Sequence, residues 1–556
     1  MNAKQTMPKK NELRRVTITD INNLGCGVGR IDGCVTFVDG GCTGDELEVK
    51  IIKTASAYCV GRIERIITPS PYRIAPGCAA SKRCGGCVYR NITYAHELEL
   101  KRGYVQAAMK KAGVDVEVGE VLTTGVTEGY RNKAQYPVGV LRVKGQPVRT
   151  VVGFYAERTH EIIPCDNCLL QPPLFGEITE FLREWMDEHR LPPYDEESHT
   201  GLVRHLYLRA AEMTGEVMVC IVATARDKRL DALASALAER FPQAVSVWLN
   251  INSARTNVVL GREFLLLSGR EKIVDSLCGR EFEISPASFY QVNRAAAEML
   301  YNKAAELAAI QPGERVLDLF CGIGTVGMCV CESDADLHGV EIVPEAVENA
   351  RANAARNGFA NAAFTCCDAG DPDAVGRVLT QLDADGLDVV ILDPPRKGCA
   401  PSLLAQLAAL RTLKRIVYIS CNPDTLARDL ALMSAQGFAC ARVTPVDLFP
   451  RTGHVETVCL LSKLNAKQHI EINLDMDELD LTDAEKKATY QEIKDYVLEH
   501  SGLKVSSLYI AQVKQKCGII ERENYNKPKS EDAKQPGCPP DKEKAIKEAL
   551  THFGMI

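Results

Sequence analysis

The sequence has no uninterrupted apolar run near the ~20 residues that a membrane-spanning helix needs, although hydrophobic residues make up 46% of it. Its first ten residues, from Met1 to Lys10, lack the apolar core of a secretory signal. Both absences lead to the expectation of a cytoplasmic protein with no membrane partner. A positive net charge is missing too: the formal charge is −7 over 556 residues, which at first argues against a nucleic-acid partner. That deficit is local, because residues 471–500 hold ten Asp/Glu and three Lys and so carry the whole −7. Contact with nucleic acid must therefore rest on local basic faces rather than on a field from the whole molecule. The 22 cysteines are spread through a long chain without the density of a small secreted scaffold. Reduced thiols, a metal site or catalysis are expected in place of disulfides. A chain of this length exceeds one hydrophobic core and suggests several domains.

Residues 8–67 alternate short apolar runs with glycine-marked turns. Val16–Thr19, Cys34–Val38, Glu46–Ile52 and Tyr58–Ile63 read as strands, and Gly25, Gly33, Gly40 and Gly44 as turns. Short strands of even spacing predict a five-stranded, OB-like β-barrel. A β domain without a ligand fits the pattern equally well. The run from Gly25 to Asp39, followed by Gly44-Asp45-Glu46, resembles the TRAM domain, an RNA-binding barrel attached to RNA-modifying enzymes.

Residues 68–285 read as a central α+β domain. Cys78, Cys84 and Cys87 lie within ten residues on a loop containing Gly85 and Gly86. Closely spaced thiolates can reach one soft metal centre, with Cys165 or Cys168 as the fourth ligand. A [4Fe–4S] cluster and structural zinc both suit four thiolates, and spacing does not choose between them. The order also lacks the Cys-x3-Cys-x2-Cys of radical enzymes, which favours a structural or RNA-positioning cluster. Tyr94 to Ala112 has helical spacing and ends at Gly113. Short strands at Val151–Tyr155, Leu206–Arg209, Val217–Val222 and Val245–Ile251 predict an antiparallel sheet. Tyr130, Arg131 and Lys133 put two cations beside an aromatic, a candidate RNA contact or a solvated loop.

From residue 286 to 463 strands and helices alternate, as in a doubly wound Rossmann-like domain. Arg315–Leu319 is a buried strand that runs into Phe320-Cys321-Gly322-Ile323-Gly324-Thr325. Glu341 ends the next strand, where an acid accepts ribose hydroxyls. The turn lacks the full GxGxxG spacing of dinucleotide sites, which points away from NAD. Two further strands stop on Asp393-Pro394-Pro395-Arg396 and on Cys421-Asn422-Pro423. A thiol at such a strand end faces whatever the sheet binds, although a cysteine taken at random is more often packed than reactive.

Five ordered stretches change that weighting: Phe289–Asn293, Leu317–Thr325, Asp393–Gly398, Ser420–Asp429 and Phe449–Glu456. In order and spacing they resemble the RNA (uracil-5-)-methyltransferase family, and with the barrel and the cysteines its bacterial 23S rRNA branch. The resemblance implies S-adenosylmethionine as cofactor and 23S rRNA as substrate, with no obligate protein partner. It implies Cys421 as the nucleophile that adds to C6 of uracil and Glu456 as the base that removes the C5 proton. It places Gln291, Phe320, Gly322, Thr325, Glu341, Asp368 and Asp393 at the cofactor, Phe289 at the base, and Cys78, Cys84, Cys87 and Cys168 at an iron–sulfur cluster. The tRNA uridine branch shares the catalytic motifs but generally lacks the barrel and the cysteines. A catalytically idle RNA-binding assembly factor is the alternative outside enzymes, and the presence of both Cys421 and Glu456 opposes it.

Residues 464–556 lie beyond the resemblance. Asp475–Asp480 reads as an acidic linker, Thr482-Asp483-Ala484-Glu485 as a capping box opening a helix to Glu499, and Ser506–Cys517 and Pro540–His552 as two more helices. A small helical appendage that touches RNA or a partner, or simply a solvated accessory domain, is expected.

Overall fold

In the computed structural model, which describes residues 7–81, 83–141, 149–156, 159–464, 490–501, 503–517 and 538–552, alternation of buried and exposed side chains closes the first five strands into a barrel. These are β1 (Leu13–Ile21), β2 (Cys26–Ile31), β3 (Cys34–Asp39), β4 (Glu46–Thr54) and β5 (Tyr58–Thr68), in the order β1-β2-β3-β5-β4 with β1 returning to pair with β4. Val16, Ile18, Val38, Leu47, Val49 and Ile51 fill its interior. Closure leaves no open edge to be covered.

After the cysteine loop comes helix α1 (Tyr94–Lys111) and a two-residue strand β6 (Glu117–Val118). Both belong physically to the catalytic half. Val105, Ala108, Met109 and Val118 pack in one core with Tyr418, Leu426 and Val443, and β6 adds an eighth strand to the catalytic sheet. The division at residues 68 and 285 therefore crosses a shared core.

The central sheet contains β7 (Lys133–Leu141), β8 (Arg149–Tyr155), β9 (Ile162–Pro164), β10 (Val203–Ala210), β11 (Val217–Ala223), β12 (Ala244–Ile251) and β13 (Glu263–Gly269), in the order β13-β12-β11-β10-β7-β8-β9. Helices α2 (Pro173–Glu188) and α3 (Lys228–Arg240) cover one face through Phe175, Leu182, Leu233 and Leu237. The pairing is antiparallel except for β11 with β12, which are parallel. The crossover helix α3 between them demands that exception, so the sheet is mixed and not antiparallel throughout.

A hairpin, β14 (Ile273–Leu277) and β15 (Arg280–Ile284), leads into α4 (Arg294–Ala308) and the catalytic sheet. The strands β16 (Arg315–Leu319), β17 (Asp336–Glu341), β18 (Ala363–Cys366), β19 (Leu387–Leu392) and β20 (Arg415–Ser420) are parallel neighbours in the order β18-β17-β16-β19-β20. They alternate with α5 (Thr325–Val330), α6 (Pro344–Arg356), α7 (Pro372–Asp385), α8 (Pro401–Ala409) and α9 (Pro423–Ala435), while β21 (Phe438–Val446) and the antiparallel β22 (Glu456–Lys463) complete the sheet. Helices on both faces bury the central strands, so β19 reads as a continuous apolar run with Val389, Val390, Ile391 and Leu392 inaccessible. Each such side chain contributes about 1.5–3 kcal/mol of burial free energy.

Residues 1–470 form one compact unit and residues 471–556 a second. In the second, α10 (Tyr490–Ser501), α11 (Ser507–Lys516) and α12 (Pro540–His552) pack around Ile493, Val497, Ile510, Val513, Ile546 and Leu550. The acidic run 475–480 and the capping box at 482–485 lie outside the described residues. Among the described residues no helix is long and apolar enough to cross a membrane.

Candidate active site at the carboxyl edge of the parallel sheet

Cys421 stands where β20 stops. Ile416 to Ser420 are buried, and the chain then turns because Asn422 caps α9, its side chain accepting from the Asp424 N–H at 3.1 Å with Pro423 at the first helical position. The thiol is half-buried between strand end and helix start. The neighbouring loop after β19 is fastened to the same place: Asn422 Nδ2 and Thr425 Oγ1 donate to the Arg396 carbonyl at 3.1 and 3.3 Å. Buried Asp429 accepts from the Tyr418 hydroxyl at 2.6 Å and from the Cys399 N–H at 2.9 Å, locking that loop to α9.

Glu456 reaches Cys421 from the antiparallel side. Ser420 pairs with Thr457, whose Oγ1 donates to the Ser420 carbonyl at 3.0 Å. Cys421 directly follows Ser420 and Glu456 directly precedes Thr457, so the two lie at the same end of this strand pair. The electrostatics agree with that placement. Burial, with Asp393 adding to it, pushes the Glu456 carboxyl up to about 8, against the pull of Arg396. Burial, then Glu456 and Asp393, push the Cys421 thiol up to about 11, and Arg396 again opposes. Burial alone raises Asp393 to about 7. Asp393 and Arg396 thus each act on both Cys421 and Glu456, and Glu456 acts on Cys421, with one cation among the acids. Arg396 also donates through Nη2 to His454 Nε2 at 3.4 Å.

Beside this cluster, the turn after β16 is left-handed at Phe320, Gly322 and Gly324, with φ of 68°, 55° and 83°. Nothing lies within 4 Å of where a Cβ would stand on Gly322, so its backbone faces open space. Its N–H donates to Glu341 Oε2 at 3.1 Å. Asp368 follows the next strand on the same edge, exposed, with Oδ1 accepting from the Gly370 N–H at 2.7 Å. Asp318, buried beneath the turn, accepts from the Gly327 N–H at 2.8 Å through Oδ2 and has no partner for Oδ1. Burial raises it to about 8. Gln291 and Thr325 are both buried and both act on the hydroxyl of Tyr301, a wholly buried residue of α4. Phe289, two residues from Gln291, projects its ring with 62% of the residue exposed.

The loop from Asp447 to Val455, which delivers Glu456, is held from beneath by α1. Lys101, buried, donates to Glu97 Oε1 at 2.8 Å, to Asp447 Oδ1 at 2.6 Å and to the Phe449 carbonyl at 3.1 Å. Glu97 accepts from the Arg451 N–H at 2.7 Å, Tyr94 donates to Asp447 Oδ2 at 2.8 Å, and Tyr130 donates to the Pro450 carbonyl at 2.9 Å. A Cβ on Gly453 would overlap the carbonyl oxygen of Asn23, so the barrel touches the same loop.

The cysteines gather less tightly. Burial raises the thiols of Cys84 and Cys87, and each also feels Cys168. The Cys165 thiol donates to Cys168, which, with the Leu170 N–H and the guanidiniums of Arg131 and Arg90, holds Cys168 below its ordinary value. Among the described residues no group of three or more His, Cys, Asp or Glu closes to metal-holding distance.

The carboxyl edge therefore brings together Cys421, Glu456 and Asp393, and along it Gly322, Glu341 and Asp368, with Gln291 and Thr325 joined through Tyr301. Sequence reasoning missed Tyr301 and Lys101. Tyr301 sits at an ordinary core spacing in α4, and Lys101 looks like one more charge on an exposed helix face. Arg396 was visible only as part of its motif.

Comparison with known proteins agrees with this construction. Residues 195–464 match the family model for tRNA (uracil-5-)-methyltransferase, and residues 9–63 match the TRAM domain. An uncharacterized RNA methyltransferase of Clostridium tetani is 40% identical over 466 residues, which cover 83% of this chain and 98% of the relative. Another from Bacillus cereus is 38% identical over 473 residues, covering 84% and 100%. The crystal structure of Pyrococcus abyssi tRNA (uracil-54, C5)-methyltransferase in complex with S-adenosyl-L-homocysteine is similar with a TM-score of 0.64 and 27% identity, covering 80% of this chain and 99% of that one. With a fold, an edge of acids and a thiol, and relatives matched along nearly their full length, the chain belongs to the S-adenosylmethionine-dependent RNA (uracil-5-)-methyltransferase family.

Proposed function

We propose that this protein methylates C5 of a uridine in 23S rRNA. The placement of Cys421 and Glu456 at the same end of the β20–β22 pair, close enough for Glu456 to act on the thiol, carries the proposal, because the reaction needs a nucleophile and a base on one pyrimidine. C5 of uracil is a poor carbon nucleophile. Addition of the Cys421 thiolate to C6 converts the ring to an enolate whose C5 can attack an electrophilic methyl group. Glu456 then takes the C5 proton, and the C6–S bond breaks to restore the ring and the thiolate. The Arg396 guanidinium favours both the thiolate and the carboxylate, while Asp393 steadies the polar edge of the base or the cofactor. Phe289 suits contact with a base extruded from its stack.

The residues fit a nucleoside cofactor: open backbone at Gly322, a strand-end acid at Glu341, and the unpaired Oδ1 of buried Asp318. Bound there, S-adenosylmethionine supplies the methyl group as an electrophile. Gln291, Phe320, Gly322, Thr325, Glu341, Asp368 and Asp393 would hold it, with Tyr301 fixing the side chains of Gln291 and Thr325.

Cys78, Cys84, Cys87 and Cys168 are proposed to ligate a [4Fe–4S] cluster, with zinc as the alternative metal. An all-thiol set in which Cys87 feels Arg90 and Cys168 feels both Arg90 and Arg131 supports this, since the guanidiniums offset part of the thiolate charge. Protein purified without oxygen should carry iron and sulfide; zinc, or no iron, would overturn the cluster.

The barrel together with the cysteines favours rRNA. The Pyrococcus abyssi structure is of a tRNA enzyme, which keeps tRNA uridine as the second reading. Mapping 5-methyluridine across rRNA and tRNA with and without the gene separates them: loss from 23S rRNA is expected, and loss from tRNA alone would reverse the assignment.

A further inference from the structure

The face of the central sheet away from α2 and α3 carries a separate chemistry. Leu206 and Leu208 of β10 enter the helix-covered core, so the alternating residues Tyr207 and Arg209 point to the other face. There Arg209 is the direct cross-strand partner of Lys133 on β7. Like charges opposite one another destabilise a sheet. Other cations in this domain avoid that cost: Arg204 pairs with Glu196 at 3.5 Å and Arg229 with Asp227 at 2.7 Å. Arg209 is only 1% exposed, yet its Nη1 has no hydrogen-bond partner. Burial and the Arg209 and Arg131 guanidiniums push the Lys133 ammonium down to about 8, with no acid among the causes to counter them. Both cations lie over the ring of buried Tyr207, Lys133 Nζ at 5.8 Å and Arg209 Cζ at 5.7 Å from its centroid.

The position of this cluster matters as much as its charge. Asn132, between Arg131 and Lys133, donates through its N–H to the Val292 carbonyl at 2.8 Å and through Nδ2 to the Gln291 carbonyl at 2.9 Å. The start of β7 is thus fastened to the loop that projects Phe289. Arg131 depresses the pKa of His454, the neighbour of Arg396, and so lies on the active-site side. Along the same sheet face the row from Tyr207 runs through buried Cys220 to half-buried Trp248, which packs against the catalytic core and meets Phe264 edge to face at 6.3 Å. Cations interleaved with aromatics next to the rim of a base-handling site suit a nucleic-acid strand.

We propose that Lys133 and Arg209, with Arg131 at the rim, bind a backbone phosphate of the RNA strand beside the target nucleotide. The guanidinium fork of Arg209 and the ammonium of Lys133 complement phosphate oxygens, and phosphate binding relieves the repulsion built into the free sheet. The site rests on the reading that the substrate is RNA.

The test uses the full chain and a fluorescein-labelled single-stranded oligouridylate, with binding followed by anisotropy over a range of salt. One phosphate contact on a single strand contributes a slope of about 0.7 in log affinity against log salt. Lys133→Met should lower the slope by about that amount, leave binding of S-adenosylhomocysteine unchanged and not lower Tm. Lys133→Glu should bind the oligonucleotide more weakly still while raising Tm, because it pairs with Arg209. A merely structural lysine predicts the opposite change in Tm for both variants. An unchanged salt slope in Lys133→Met, or a fall in Tm for Lys133→Glu, would overturn the site. Because binding is read without turnover, loss of this site is distinguishable from failure of the uridine chemistry, which would show as bound RNA that gains no 5-methyluridine.

Discussion

At the carboxyl edge of the catalytic sheet, Asp393 and Glu456 both act on Cys421, Asp393 also acts on buried Asp318, and the guanidinium of Arg396 opposes the acids at Cys421 and Glu456. On the face of the central sheet away from α2 and α3 the imbalance is reversed, with the Arg209 and Arg131 guanidiniums acting on Lys133 and no acid pulling it back. Acids there are pushed up toward neutrality, and here a lysine is pushed down to about 8. Ordinary structural charges in the same molecule are neutralised, as Glu314 is by Arg415, which holds the glutamate down at about 2. The contrast teaches that these two regions are kept unbalanced at a cost to the free protein. Each imbalance matches a different part of one proposed substrate: proton and thiol chemistry for the base, positive charge for the backbone.

If the acidic edge is the chemical half of that division, its variants should fail in turnover and not in binding. Cys421→Ala should lower kcat by on the order of 10⁵ or more, while anisotropy with oligouridylate stays near wild type. Equal losses in both measurements would dissolve the distinction between the regions. Glu456→Gln should cost about 10²–10⁴ in turnover and should accumulate a covalent protein–RNA species visible on a denaturing gel. Normal turnover by this variant would remove Glu456 as the base.

The support beneath the edge gives a smaller effect. Lys101→Met leaves Asp447 buried without its cation and Glu97 with Arg451 at 3.5 Å as its remaining one, and breaking such a network costs about 3–5 kcal/mol. Tm should fall, and at temperatures where the variant is folded the adduct should form but release slowly, since the loop bearing Glu456 loses its anchor. Unchanged release would restrict Lys101 to stability.

The smallest effect is in pH dependence. Glu456 is raised from an ordinary 4.5 to about 8 on folding, so its neutral form is favoured in the native state. Stability linked to this group is fully present below pH 4.5 and is lost as pH rises through about 8. Glu456→Gln should therefore raise Tm at pH 9 relative to wild type and leave it unchanged near pH 4, as thermal melts would detect.

Much of the edge was legible in the chain because several of its residues end or follow a strand: Asp393 after β19, Cys421 after β20, Glu341 at the end of β17. Apolar runs that stop on a polar residue carry that information locally. The barrel was legible for the same reason, since its glycine turns punctuate alternating strands. Tyr301, Lys101 and Arg209 were not, because their meaning lies in partners far along the chain: Gln291 and Thr325, Asp447, and Lys133 across the β7–β10 register. The parallel pairing of β11 with β12 and the two-residue β6 were hidden likewise, as pairing partners are set by tertiary packing and not by period.

The central claim is that Cys421 attacks the base while Glu456, beside it at the same end of the sheet, removes the C5 proton. RNA carrying 5-fluorouridine tests it directly, because fluorine at C5 leaves no proton for the base to remove and halts the reaction after methyl transfer. Peptide mapping of the stalled complex by mass spectrometry should find the nucleotide on Cys421 in the wild type and no adduct in Cys421→Ala. An adduct on another residue, or turnover of ordinary RNA by Cys421→Ala, would contradict the account.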